Sequence, residues 1–169
     1  MNQLESTQKK HAREEKIILK NANAVFTTAK SLNDKFFKIN NQCFYVPSGF
    51  DTNLSSKAYK KFRILYSGTM KPIQNPKNLW SVLADLVESD ENFEKLAEIV
   101  LIGNINPHVY SSEEFKKIKK RQIISPMSKN ELDKEIEISE ILVVCSVNMK
   151  DCNDIVPGKF FHYLSSGKR

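Results

Sequence analysis

The stretch Phe62-Arg63-Ile64-Leu65-Tyr66-Ser67-Gly68 reads as a strand whose apolar residues run on rather than alternate, closed by a turn signal. Continuous apolar runs of this kind belong to strands covered on both faces of a sheet. Working outward, residues 76–88 have helical spacing, with Leu79, Val82, Leu83, Leu86 and Val87 expected on the buried face. A short helix over 93–98 precedes a second apolar strand, Ile99-Val100-Leu101-Ile102-Gly103. A charged helix over 112–120 leads to Gln122-Ile123-Ile124-Ser125, and the Ser-x-x-Glu spacing of Ser128 and Glu131 marks the capped start of another helix. That helix feeds the strand 141–145, and a last helix over 157–166 opens at Pro157 and closes at Gly167, each suited to its end. Strands and helices in strict alternation predict an α/β fold: a doubly wound, mostly parallel sheet covered on both faces.

In such sheets ligands sit at the carboxyl ends of the strands. Here those ends are Ser67-Gly68, Gly103-Asn104, Ser125-Pro126 and the loop from Ser146 to Asp154. Ahead of this region, 5–22 reads as a helix, 24–28 as a strand, 31–37 as a helix and 43–47 as a strand that breaks at Ser48-Gly49. A lysine-rich connector then suggests a division into residues 1–50, a linker 51–61 and a domain 62–169.

Composition narrows the function classes. The chain has 169 residues, 40% of them hydrophobic, which suffices for a real core. Apolar runs of about five residues fall far short of the roughly 20 that cross a bilayer, and the polar start lacks the apolar core of a secretory signal. Cys43, Cys145 and Cys152 are odd in number and irregularly spaced, so buried free thiols in a reducing, cytoplasmic setting are expected. The net charge of +6 favours anionic partners. The densest basic run, residues 116–121, follows Glu113-Glu114 and has no interleaved aromatics, so it reads as a solvated helix face and no nucleic-acid partner is expected. His11 and His108 lack partners at metal-ligand spacing, and no nucleophile–base set stands out.

Two places bear on phosphate and sugar. Gly68-Thr69-Met70-Lys71 lies between a strand and a helix, where a glycine admits a phosphate to the backbone and a lysine adds charge. The plainer reading, that Gly68 makes the turn, has equal standing on local grounds. The start of the last helix, at Pro157-Gly158-Lys159, offers free backbone N–H groups to an anion. Asp154 in the loop and His162 one turn into the helix are placed for hydroxyl groups; alone, they read first as a loop carboxylate and a solvent-facing histidine.

Taken in order, several motifs resemble a family-4 glycosyltransferase of the GT-B type. They are Asn23-Ala24-Val25-Phe26-Thr27-Thr28, Val46-Pro47-Ser48-Gly49-Phe50-Asp51, Ile64 through Met70, Gln74-Asn75-Pro76, Val100-Leu101-Ile102-Gly103, and Val156 through Lys168. The resemblance spans roughly residues 10–169. It implies two Rossmann-like domains with a cleft between them, of which residues 1–50 are the tail of the acceptor-side domain and 62–169 most of the donor-binding one. A preceding domain, and further strand and helices after Lys168, are expected on the same ground.

The implied partners are a nucleotide diphosphate-sugar donor and a saccharide or lipid-linked acceptor, with peripheral membrane association of the full-length protein. No cofactor and no metal are implied. The implied nucleotide-sugar site comprises Gly68, Thr69, Lys71, Gln74, Asp154, Pro157, Gly158, Lys159 and His162; the catalytic residues are unknown. Gly68 and Lys71 face the diphosphate, Asp154 the sugar and His162 the ribose. The chain departs from the family pattern at His162, where a glutamate is usual, and at Gln74, where a related subgroup has arginine. Those departures, and the expected absence of an acceptor domain, keep open a non-catalytic relative that binds a nucleotide or a protein partner.

Overall fold

The computed structural model describes residues 5–50, 61–147 and 156–168. They fall into two compact units, a smaller one of the residues up to Gly49 together with Val156, and a larger one that contains all the strands from Phe62 onward. The proposed linker 51–61 lies outside the described residues except for Lys61.

The smaller unit consists of helix α1 (Glu5–Asn21), strand β1 (Val25–Thr27), helix α2 (Lys30–Phe37) and strand β2 (Cys43–Tyr45). The two strands pair in parallel, Val25 opposite Cys43. The Asn40 side chain fastens the end of α1 by donating to the carbonyls of Leu19 and Ala22, each at 2.8 Å. This satisfies carbonyls that a helix end leaves without intrahelical partners.

The larger unit runs β3 (Phe62–Ser67), a 3₁₀ turn (Pro72–Gln74), α3 (Lys77–Ser89), α4 (Glu91–Leu96), β4 (Ala97–Ile102), α5 (Pro107–Tyr110), α6 (Glu113–Lys117), β5 (Arg121–Ile124), α7 (Lys129–Glu137), β6 (Ile141–Leu142) and α8 (Gly158–Leu164). Its four strands are all parallel in the order β5-β4-β3-β6. The doubly wound parallel sheet expected from the apolar runs is therefore present. Successive residues of β3 and β4 enter opposite cores. Ile64, Tyr66, Ile99 and Leu101 pack with Trp80 and Leu83 of α3, Val109 of α5 and Phe115 of α6, whereas Leu65, Val100 and Ile102 pack with Ile136 of α7 and Tyr163 of α8. Trp80 centres the first core: its ring meets Phe115 edge-on at 5.1 Å and its indole N–H donates to Asn75 Oδ1 at 2.7 Å.

Several boundaries differ from the sequence reading. The buried stripe of α3 is Trp80, Leu83, Ala84 and Val87, while Val82 and Leu86 are exposed. A 3.6-residue period admits only one of the two overlapping apolar stripes, and the Trp80 side chain decides which. The charged helix 112–120 is shorter, ending at Lys117, and a separate turn, α5, precedes it with Pro107 at its start and the Asn106 side chain accepting from His108 N–H. Ala97 and Glu98 belong to β4 rather than to the preceding helix, which Asp90 caps. Strand β6 is two residues long, and the last helix is shorter than 157–166, with Pro157 as its cap rather than its first residue. Ser128 and Glu131 form the expected capping box. Cys43 and Cys145 are buried free thiols; Cys152 lies outside the described residues.

The basic run is occupied by acids of neighbouring segments. Lys116 pairs with Glu113, Lys117 with Glu88 and Lys119 with Glu94, and Arg121 donates to the carbonyls of Lys116 and Ile118. At the opposite end of the sheet from the strand carboxyl termini, Glu98 (2% exposed) accepts from Arg63, Lys61 and Gln122. Among the described residues no helix is long and apolar enough to cross a membrane.

Candidate functional site

From β3 the chain steps outward through β4 to β5, then returns to place β6 on the other side of β3. A reversal of winding opens a crevice beyond the carboxyl ends of the two strands flanking it. The residues at this crevice are the loop after β3 and the start of α8.

Two glycines shape the floor. Gly68 and Gly103 both have positive φ, 120° and 123°. A Cβ on Gly103 would lie 2.4 Å from the Gly68 carbonyl oxygen, so the loops after β3 and β4 touch backbone to backbone. Beyond them the loops continue in parallel, Met70 N–H donating to the Asn104 carbonyl and Asn106 N–H to the Met70 carbonyl. An open pocket of about 310 Å³ lies between them, lined by Thr69, Met70, Lys71, Asn104, Ile105 and Asn106. A smaller cavity of about 130 Å³ is lined by Gly68 and Gly103 with Ser67, Ile102, Pro126, Met127 and Leu132.

Lys159, in the first turn of α8, reaches over this floor. Its ammonium donates to the Tyr66 hydroxyl at 2.6 Å and stands 3.8 Å from the centroid of the Tyr66 ring. It is also 2.9 Å from the point where a Gly68 side chain would begin. The Tyr66 hydroxyl in turn donates to the Thr69 carbonyl at 2.7 Å. Burial pushes the Lys159 pKa down, opposed by the neighbouring Cys145, and burial pushes the Cys145 thiol up. A half-buried ammonium held by a phenol and a ring face interacts more strongly with an incoming anion than a solvated lysine does.

Tyr163 anchors α8 to β3. Its hydroxyl accepts from the Ser67 N–H and bonds the Ser67 hydroxyl, both at 2.8 Å. His162, beside it, is turned to α7: its Nε2 meets Asp133 Oδ1 at 2.7 Å. A carboxylate only accepts, so Nε2 carries the proton.

Of the residues singled out in the sequence, the fold brings Gly68, Thr69 and Lys159 into one contact network, with Lys71 lining the adjoining pocket. Gln74 folds back onto its own turn, accepting from Lys71 N–H at 3.1 Å. Pro157 caps α8 and Gly158 begins it. Asp154 lies outside the described residues. Gly103 stood among the expected ligand-facing strand ends, a glycine closing an apolar strand like Gly68; Tyr66, Tyr163 and Asp133 were not anticipated. Among the described residues there is no group of three side chains that could hold a metal ion.

Comparison with solved structures gives the larger frame. The chain superposes on WaaG, a glycosyltransferase involved in lipopolysaccharide biosynthesis, with a TM-score of 0.60 at 12% identity, over 81% of this chain and 42% of WaaG. A mutant of TarM from S. aureus, in complex with fondaparinux, α-GlcNAc-glycerol and UDP, gives 0.52 at 14% identity over 77% and 27%. WaaB, a lipopolysaccharide outer core galactosyltransferase, gives 0.51 at 12% identity over 87% and 42%. The fold is similar to the Rossmann-like half of GT-B glycosyltransferases. The chain spans less than half the length of each of these proteins. No family model matches its sequence, and no curated protein matches it significantly.

Proposed function

We propose that this chain is the donor-binding portion of a family-4 glycosyltransferase, which transfers a sugar from a nucleotide diphosphate-sugar to a saccharide or lipid-linked acceptor. The observation that carries this reading is the Lys159 ammonium, half-buried and held against the bare backbone of Gly68 at the switch point of the sheet. A diphosphate there meets a positive charge and an approachable backbone together. Stabilising the departing nucleoside diphosphate in this way is the main electrostatic task of sugar transfer without a metal. Lys71 and Thr69 serve the diphosphate from the adjoining pocket, and Asp154 holds the donor sugar. The smaller unit is the tail of the acceptor-side domain.

Isothermal titration with UDP, GDP and their sugars tests the reading; no heat at millimolar nucleotide from any of them sinks it. Within it, Lys159→Met keeps the apolar stem and removes the charge. The variant should bind UDP about tenfold or more weakly, the worth of one charge-assisted contact, while its affinity for uridine stays level. Equal losses for both ligands would mean that Lys159 supports the fold and not the phosphates.

A further inference from the structure

Helix α1 carries a charge pattern that the donor site leaves unused. Only Leu19 of this helix is buried. Lys9, Arg13, Lys16 and Lys20, all exposed, recur at intervals of three and four residues. At 3.6 residues per turn they fall within about 60° of arc, in a stripe about 16 Å long. Lys9 is engaged by Glu5 at 2.8 Å, at the outer end of the stripe, and Lys10 beside it lies 3.9 Å from Glu14. Among the described residues no acid reaches Arg13, Lys16 or Lys20. By the same period Glu14 and Glu15 lie on the other side of the helix. The run 116–121 is the reverse case, since its lysines are taken up by Glu113, Glu88 and Glu94. Like charges four residues apart, as in Lys9–Arg13 and Lys16–Lys20, work against the helix that carries them. An anion laid along the stripe removes that cost.

We infer that this face of α1 is a docking surface for an anionic saccharide chain, one that bears sulfate, phosphate or carboxylate groups along its length. Docking rests on the stripe itself; that the docked chain is the acceptor rests on the sugar-transfer reading above. Several features select this partner. The stripe is one side chain wide, so it matches a line of charge and not a plane. A bilayer asks for an apolar face beside the charges. Here Ile17 alone stands at the margin of the stripe, and Ile18 is on the opposite side. Single-stranded nucleic acid asks for aromatic platforms on which bases stack, and α1 has no aromatic residue other than His11, which lies away from the stripe. Successive cations are spaced about 4.5–6 Å along the helix axis, comparable with one sugar unit of an extended chain. Exposed contacts of this kind are weak singly, additive along a polymer and steeply dependent on salt.

The experiment titrates the full chain with a heparin oligosaccharide, and with the same oligosaccharide stripped of its sulfates, over a range of sodium chloride. Two triple variants of equal net charge are compared, Arg13→Ala/Lys16→Ala/Lys20→Ala and Lys116→Ala/Lys117→Ala/Lys119→Ala, each first checked for an unchanged circular dichroism spectrum. Alanine is a strong helix former, so the first leaves α1 intact. The wild type should bind the sulfated form and not the stripped one. The α1 variant should lose about tenfold in affinity at low salt, and its slope of log K against log salt should fall by about 2, roughly 0.7 for each cation removed. The second variant should keep both. Equal losses in the two variants, or none in the first, overturn the inference. So does tighter, stripe-dependent binding to phosphatidylglycerol vesicles than to heparin, which would make the partner a bilayer. UDP is titrated in parallel. Affinity for UDP without affinity for heparin overturns the docking surface alone; stripe-dependent heparin binding by a chain that ignores UDP upholds the docking surface and overturns the donor site and the acceptor role with it.

Discussion

Gly103→Ala should cost about 3 kcal/mol of folding stability, a large part of what a domain of this size has. Two effects add. The φ of 123° is one that L side chains rarely adopt, and the new Cβ would lie 2.4 Å from the Gly68 carbonyl oxygen and 2.9 Å from its carbon. Neither atom can step aside, because Gly68 N–H is bonded to the Ile102 carbonyl at 2.8 Å and Gly103 N–H to the Ile124 carbonyl at 2.8 Å. The matched control is Gly158→Ala, where a Cβ meets nothing within 4 Å and the backbone is helical. That change should leave stability within about 0.5 kcal/mol of wild type or raise it slightly. Urea denaturation of the three proteins decides the matter; a Gly103→Ala midpoint equal to wild type would show that the loops separate freely.

Glu98→Ala should be comparably damaging, about 3–5 kcal/mol at neutral pH, because it removes the more deeply buried of two carboxylates that compensate a buried guanidinium. Glu98 accepts from Arg63 at 2.8 Å, Lys61 at 3.0 Å and Gln122 at 2.9 Å, and Arg63, itself 7% exposed, also reaches Glu135 of α7. Glu98 thus ties three adjacent parts of the sheet base together. Burial by itself raises the Glu98 pKa, but the hydrogen bonds and charges of Lys61 and Arg63 outweigh it and hold the carboxyl below its ordinary 4.5. A group whose pKa is depressed by folding stabilises the fold above its unfolded value, and that contribution disappears as pH falls through the folded value. The gap between wild type and Glu98→Ala should therefore be full above about pH 5 and shrink on acidification below the ordinary glutamate range. A gap that persists unchanged into strong acid would assign the loss to packing instead of charge.

These two sites show where reading the chain succeeded and where it stopped. Strands β3 and β4 were legible because their residues enter two cores in turn, which forces apolar character at nearly every position. The capping box at Ser128 and Glu131 was legible because its partners are three residues apart. The buried face of α3 was not, since Val82 and Leu86 are as apolar as Val87 and only the seating of Trp80 against Phe115 selects the stripe. Nor did the short turn α5 emerge, although Asn106-Pro107 is a sound helix start. Its four residues are too few for a period to show.

For the candidate site the divide is similar. Gly68, Lys71 and Lys159 stood out because glycine after a strand and lysine at a helix start are local features. What Lys159 touches was beyond reach: Tyr66 is 93 residues away, and read in sequence it is one more apolar position of β3. Asp133 gave no sign at all, being an acid among acids on a charged helix, until α7 and α8 were laid side by side 29 residues apart in the chain.

The succession of strands along the chain, their burial on both faces and the position of the turns that close them thus follow from the residues alone, since hydrophobic pattern and turn chemistry act over a few positions. Which side chains meet at those ends was decided only in three dimensions. A parallel sheet joins its strands by long crossovers, so the groups that share a crevice come from distant segments. The winding reversal at β3 brought Lys159 to Tyr66 and His162 to Asp133, and no local rule encodes either meeting.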